Sequence, residues 1–234
     1  MKDGAMAARR QDKAYGPRRA FLQQGCGIVA ALLLSAGKTS LAAAGERMLK
    51  LVALGDSLTA GYLLPEADSF PSVLQAALRA RGHRVEIANA GVSGDTSTGG
   101  LARVDWSVPE GTDGVILELG ANDMLRGLDP EVTRKALEGI VSRLAARNIP
   151  VMLAGMYAAR NLGPEYQRRF EAVYADLAQR HGLVLYPFFL AGVSGGPPRL
   201  ALPDGLHPSA EGVRVIVERI LPSVETFLGR LGAR

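Results

Sequence analysis

From Leu49 onward the chain alternates short apolar runs with longer amphipathic stretches, and this alternation narrows the fold more than any other feature. The runs Leu49 to Leu54, Arg84 to Ala88, Gly114 to Leu119, Val151 to Ala154 and Leu183 to Tyr186 have the length of strands. Their Val, Ile and Leu content is that of strands covered on both faces. Between them lie helical patterns over Pro71 to Arg81, Thr98 to Val104, Pro130 to Asn148 and Pro164 to His181, with a last one over Pro208 to Leu228. Several open on Pro, whose fixed φ suits a first helical turn. Strands that alternate with helices predict an α/β fold of βαβ units around a mainly parallel, five-stranded sheet. In open sheets of this kind, ligands gather beyond the carboxyl ends of the strands, so the segments just after strands are where chemistry is sought.

The 234 residues are 47% hydrophobic and 21% charged, enough to bury one α/β core without a second domain. The formal charge of +4 is unevenly placed. Residues 1–44 hold seven of the 27 Lys/Arg and two of the 23 Asp/Glu, which leaves 20 basic and 21 acidic residues in the rest. The body therefore has no electrostatic basis for binding nucleic acid or another polyanion. The first 44 residues read as a cleavable export signal and 45–234 as one folded domain. The leader has a basic stretch, an apolar run from Ile28 to Leu34 and the small residues Ala42-Ala43-Ala44 before Gly45. That run is shorter than the roughly 20 apolar residues a membrane span needs, so no stable membrane anchor is expected. Arg18-Arg19-Ala20-Phe21-Leu22-Gln23 resembles a twin-arginine signal, although Pro17 stands where such signals have Ser or Thr. An ordinary secretory leader and a retained anchor are the alternatives. The single cysteine, Cys26, falls inside the leader and lacks the Leu that precedes a lipoprotein site, so the mature chain is expected to be periplasmic or secreted and free of disulfides.

Four segments carry residue types suited to acyl transfer. Gly55-Asp56-Ser57-Leu58-Thr59-Ala60-Gly61-Tyr62 follows the first strand, Asn89-Ala90-Gly91-Val92-Ser93-Gly94-Asp95-Thr96 the second and Gly120-Ala121-Asn122-Asp123 the third. Asp204-Gly205-Leu206-His207-Pro208 precedes the last helix. Each alone is ordinary turn composition. Together they resemble the SGNH (GDSL) hydrolases, whose name lists a Ser, Gly, Asn and His carried by four separated blocks. Here those residues match Ser57, Gly91, Asn122 and His207, in the right order. The likeness covers nearly all of the mature chain and is strongest to the periplasmic thioesterase/arylesterase/lysophospholipase subgroup.

The resemblance implies a three-layer α/β/α, flavodoxin-like fold and a serine hydrolase of esters or thioesters. A serine hydroxyl needs a base to become nucleophilic. By the resemblance His207 is that base for Ser57, and Asp204 holds and stabilises its imidazole. The donors for the developing oxyanion are then the N–H groups of Ser57 and Gly91 with the Asn122 amide. The lack of a Cβ at Gly91 is expected to let substrate approach. The order Ser, Asp, His also occurs in α/β-hydrolases, but their elbow reads Gly-x-Ser-x-Gly and Thr59 occupies the final Gly position here.

Met124 to Asp129 resembles the mobile loop over the acyl site in that subgroup, so Met124, Leu125 and Leu128 are candidate substrate-binding residues. Apolar residues from Val193 to Leu202 are expected to add to an acyl or aryl groove. Asp56 is expected to hold the Ser57 turn by a hydrogen bond, and Asp95 and Asp123 to be structural. His83 and His181 receive no catalytic role, and Met152, Met156 and Trp106 read as packing residues. No His/Cys/Asp/Glu cluster has metal-ligand spacing, so the expected chemistry needs neither metal nor cofactor. The expected partner is a small-molecule ester or thioester, acted on by a monomer. Two alternatives stand beside this reading: a carbohydrate O-deacetylase using the same triad, and a noncatalytic flavodoxin-like module. Against the latter, the Gly91 to Gly100 loop has no Lys and fits no phosphate-binding fingerprint.

Overall fold

Five strands, β1 (Leu49–Gly55), β2 (Val85–Gly91), β3 (Gly114–Glu118), β4 (Val151–Ala154) and β5 (Val184–Tyr186), form one sheet in the order β2-β1-β3-β4-β5. Every neighbouring pair is parallel, so the sheet is wholly and not merely mainly parallel. The computed structural model describes residues 47–232. The expected leader, with Arg18, Arg19, Cys26 and the Ala42 to Ala44 site, lies outside the described residues.

Seven α-helices are found among the described residues: α1 (Ser57–Ala60), α2 (Phe70–Ala80), α3 (Ser97–Ser107), α4 (Ala121–Leu125), α5 (Pro130–Ala146), α6 (Pro164–His181) and α7 (Ala210–Gly232). α2 packs with α7, while α3, α5 and α6 pack side by side, which gives the three layers. The chain steps from β1 to β2 on one side and then crosses to β3 on the other. This reversal leaves a crevice beyond the carboxyl ends of β1 and β3, where open α/β sheets bind ligands.

The core follows from the apolar runs. The last five residues of β1 and all of β3 and β4 are buried. Phe70, Phe170, Phe189 and Phe227 are the largest side chains with essentially no exposure. β2 departs from the two-face burial expected of it. Val85 and Ile87 point inward while Glu86 and Ala88 are exposed, the alternation of an edge strand.

Helix ends shift where backbone capping overrides the apolar pattern. α7 starts at Ala210 and not at Pro208, because the Ser209 hydroxyl accepts from the Gly212 N–H at 3.2 Å. It then continues through Pro222 to Gly232. α5 stops at Ala146, and Asn148 turns away with φ of 57°. Trp106 is not a packing residue: it is 73% exposed on α3, while Arg103 and Val104 take the inner face of that helix. Met152 and Met156 are buried as expected. No helix among the described residues is long and apolar enough to cross a membrane.

Candidate active site

β1 ends in a sharp turn whose residues fix the position of Ser57. The Asp56 carboxylate accepts the Leu58 N–H at 3.0 Å and caps α1, and Gly61 ends this single turn in the left-handed region at φ of 80°. Ser57 is thereby the first residue of a helix at the crevice, where N–H groups lack intrahelical partners. Its side chain is nearly buried and meets one partner, the His207 imidazole, with Oγ 2.8 Å from Nε2.

His207 reaches Ser57 from 150 positions away in sequence. Its loop is pinned by the Leu202 N–H to the His207 carbonyl at 2.7 Å and by an antiparallel bridge between Ala201 and Pro208. Asp204 holds the imidazole. One carboxylate oxygen accepts the N–H groups of Leu206 and His207 at 2.9 and 3.0 Å, and the other lies 2.6 Å from His207 Nδ1. These hydrogen bonds, that from the His207 backbone foremost, hold the Asp204 carboxyl down to about 2. Because a carboxylate only accepts, Nδ1 carries the ring proton and Nε2 is left as an acceptor for the Ser57 hydroxyl. The Tyr62 ring covers the imidazole, with centroids 4.4 Å apart and planes tilted by 36°.

The third and fourth segments meet at the same edge. The Asn122 amide, at the start of α4, donates to the Asp95 carbonyl at 2.9 Å and to the Asp56 carboxylate at 3.2 Å. Gly91 is placed differently from expectation. Its N–H donates to the Asn89 side chain at 3.0 Å, so it is not a free donor. A Cβ there would collide with Ala60 N and the Asp56 carbonyl, so the glycine admits the Ser57 turn and not a substrate. The unengaged N–H lies three residues on, at Gly94, whose φ of 84° places it in the left-handed region. No acceptor among the described residues takes the N–H of Gly94 or of Ser57. The sequence signal for Gly94 was its place inside Ser93-Gly94-Asp95-Thr96, a turn ending in the α3 cap.

The architecture beyond the sheet thus gathers a hydroxyl, an imidazole, a carboxylate and unengaged amides into one crevice. Residues 53–215 match the GDSL-like lipase/acylhydrolase family. This chain belongs to that family. An arylesterase of Vibrio mimicus is 39% identical over 179 residues, 76% of this chain and 89% of that protein. Esterase TesA of Pseudomonas aeruginosa is 35% identical over 211 residues, 90% of this chain and 100% of that protein. Among solved structures, AlinE4, an SGNH-hydrolase family esterase, superposes with a TM-score of 0.65 at 43% identity, covering 78% of this chain and 97% of that one. The chain is accordingly a serine ester hydrolase of the GDSL type.

Two polar clusters brace the crevice of this GDSL hydrolase. Arg103 is buried; it pairs with Asp95 at 2.6 Å and donates to the Gly55 and Ala90 carbonyls, each at 2.8 Å. It escaped the sequence reading, although the eight-residue spacing from Asp95 places it two turns into α3. Asp123, fully buried, accepts the N–H and hydroxyl of Ser97 and the Thr133 hydroxyl. His83 and His181 pair with Glu225 and Glu138, away from Ser57.

The candidate substrate residues divide. Met124 packs into the hydrophobic core, Leu125 is 54% exposed and Leu128 is half-buried. The segment is held by the Leu128 N–H to the Asp123 carbonyl at 3.0 Å and by the Tyr166 hydroxyl to the Leu128 carbonyl at 2.9 Å. Val193 and Leu200 also belong to the hydrophobic core. A cavity of about 260 Å³ lined by Ile149, Pro150, Val184 and Phe227 lies at the amino-terminal ends of β4 and β5, away from Ser57.

Proposed function

We propose that the protein hydrolyses carboxylic esters, and thioesters of the same acyl groups, through an acyl-enzyme on Ser57. The observation that carries this is the unbroken relay from Ser57 Oγ to His207 Nε2 at 2.8 Å and from Nδ1 to Asp204 at 2.6 Å. Ser57 Oγ attacks the carbonyl carbon as its proton passes to Nε2. The imidazolium, stabilised by Asp204, then returns that proton to the departing alcohol or thiol. Water repeats the sequence on the acyl-enzyme and frees the acid. The negative oxygen formed in each step is met by the N–H groups of Ser57 and Gly94 and by the Asn122 amide. Such preorganised donors supply about 2.7–4 kcal/mol each to the transition state.

Aryl esters, acyl esters and lysophospholipids are the proposed substrates, in keeping with relatives named arylesterase and thioesterase 1/protease 1/lysophospholipase L1. The sugar-deacetylase alternative finds no counterpart in those names. Export to the periplasm or medium is part of the reading and is supported by the basic stretch, apolar run and small-residue site of residues 1–44.

Labelling with a fluorophosphonate probe, followed by peptide mapping, tests nucleophile and activation together. Modification is expected at Ser57 alone, with loss of labelling and turnover in a folded Ser57→Ala variant. Stoichiometric labelling at another serine removes the assignment.

A further inference from the structure

Two carboxyl groups are buried side by side beneath the turn that carries Ser57. Asp56, the cap of α1, is fully buried, and Glu118, the last residue of β3 and the register partner of Gly55, is 1% exposed. Both Asp56 oxygens receive donors, the Leu58 N–H on one and the Asn122 amide on the other. Glu118 Oε2 accepts the Thr59 hydroxyl at 2.8 Å. Glu118 Oε1 meets no donor among the described residues, although its carboxyl faces both the side chain and the N–H of Asp56. Two carboxylates in contact in a dry site repel each other, and a buried oxygen without a donor adds a desolvation cost. A single proton between the two groups removes both penalties.

We propose that Glu118 retains its proton in the folded protein and donates it to the Asp56 carboxylate, which makes Glu118 a positioning residue for the Ser57 turn and the Asn122 amide. Asp56 is the shared anchor of these elements: it caps the helix of the nucleophile with one oxygen and orients the amide with the other. A third donor, from Glu118, fixes the carboxylate plane that serves both. Burial, followed by the charge of Asp56, pushes the Glu118 carboxyl well above its ordinary range, and burial raises Asp56 as well. The other groups facing the pair are Asp123 and His207, which act on Asp56, and Tyr174, whose hydroxyl is committed to the Leu119 carbonyl at 3.0 Å. The Arg103 guanidinium is committed to Asp95 and backbone carbonyls, among them that of Gly55. The positioning role rests on the parts assigned above to Ser57 and Asn122; the protonation does not.

Infrared spectroscopy of the folded enzyme tests the proton without substrate, and so independently of the nucleophile assignment. The carbonyl band of a protonated carboxylic acid is expected in the wild type at neutral pH and is expected to vanish in Glu118→Gln. Glutamine supplies an N–H for Asp56 and a carbonyl for Thr59, so this variant is expected to keep kcat within about threefold, whereas Glu118→Ala loses about tenfold or more in kcat with KM little changed. Thermal unfolding gives a second readout. A carboxyl raised in the folded state contributes stability that is complete below its unfolded value and is lost as pH rises through the folded one. The wild type is therefore expected to lose stability relative to Glu118→Gln as pH climbs above the ordinary Glu range. Absence of the infrared band in the wild type, or unfolding curves that stay parallel with pH, overturns the proposed proton. Equal kcat in the Gln and Ala variants overturns the positioning role. Should Glu118→Ala fail to fold, the band and the pH dependence still decide.

Discussion

The Asn122 amide lies between the Asp95 carbonyl at 2.9 Å and the Asp56 carboxylate at 3.2 Å, two acceptors of unequal reach. An oxyanion forming in the crevice competes best for the proton whose present bond is the longer and weaker of the two. Asn122→Ala is therefore expected to lower kcat by about 10²–10³ with little change in KM, read from steady-state hydrolysis of a p-nitrophenyl ester. Gly91→Ala should act on folding instead. Its new Cβ runs into backbone atoms of Ala60 and Asp56, so a loss of about 1–3 kcal/mol in urea unfolding is expected. At this scale the side chains that the fold brings together were legible: Ser57, Asp204, Asn122 and His207 stand in distinctive segments. Which backbone N–H stays unengaged was not, because the Gly91 amide is taken by Asn89 and the Gly94 amide is not, a difference that only the folded turn creates.

α3 joins three pieces of backbone through one side chain. Arg103 reaches the ends of β1 and β2 and the Asp95 turn from the second turn of that helix, with little exposure to water. Removing a buried, hydrogen-bonded partner leaves the remaining charge and carbonyls unsatisfied, so Arg103→Ala is expected to cost about 3–5 kcal/mol in equilibrium unfolding. Arg103→Lys should not restore the loss, since a point charge cannot satisfy the divergent acceptors that a planar guanidinium fork reaches. The long elements around it were visible as apolar periodicity, and β4 and α6 fall on the expected residues. α1 and α4 were not visible, because four or five residues are too few to display a helical period. The edge character of β2 is written in Val85-Glu86-Ile87-Ala88, where only alternate residues are buried, although its Val and Ile content resembles that of a strand covered on both faces.

Across the whole molecule, carboxyls shifted in opposite directions shape the pH dependence of stability, Asp204 downward and Glu118 and Asp56 upward. Asp204, held down to about 2 by its hydrogen bonds to His207 and Leu206, contributes stability above the ordinary Asp value that disappears as pH falls through about 2. Glu118 acts in the other direction, its contribution waning as pH rises. Asp204→Asn is thus expected to unfold at a lower temperature than the wild type near neutral pH, with the gap closing in strong acid, as followed by circular dichroism. The meeting of Ser57 with a histidine 150 positions later has a consequence of a different kind. A chain growing from its amino terminus displays the hydroxyl 150 positions before the imidazole, so the relay between them forms only after that much more chain has been made. Ester hydrolysis at this site therefore waits until His207 has been translated and folded against Ser57.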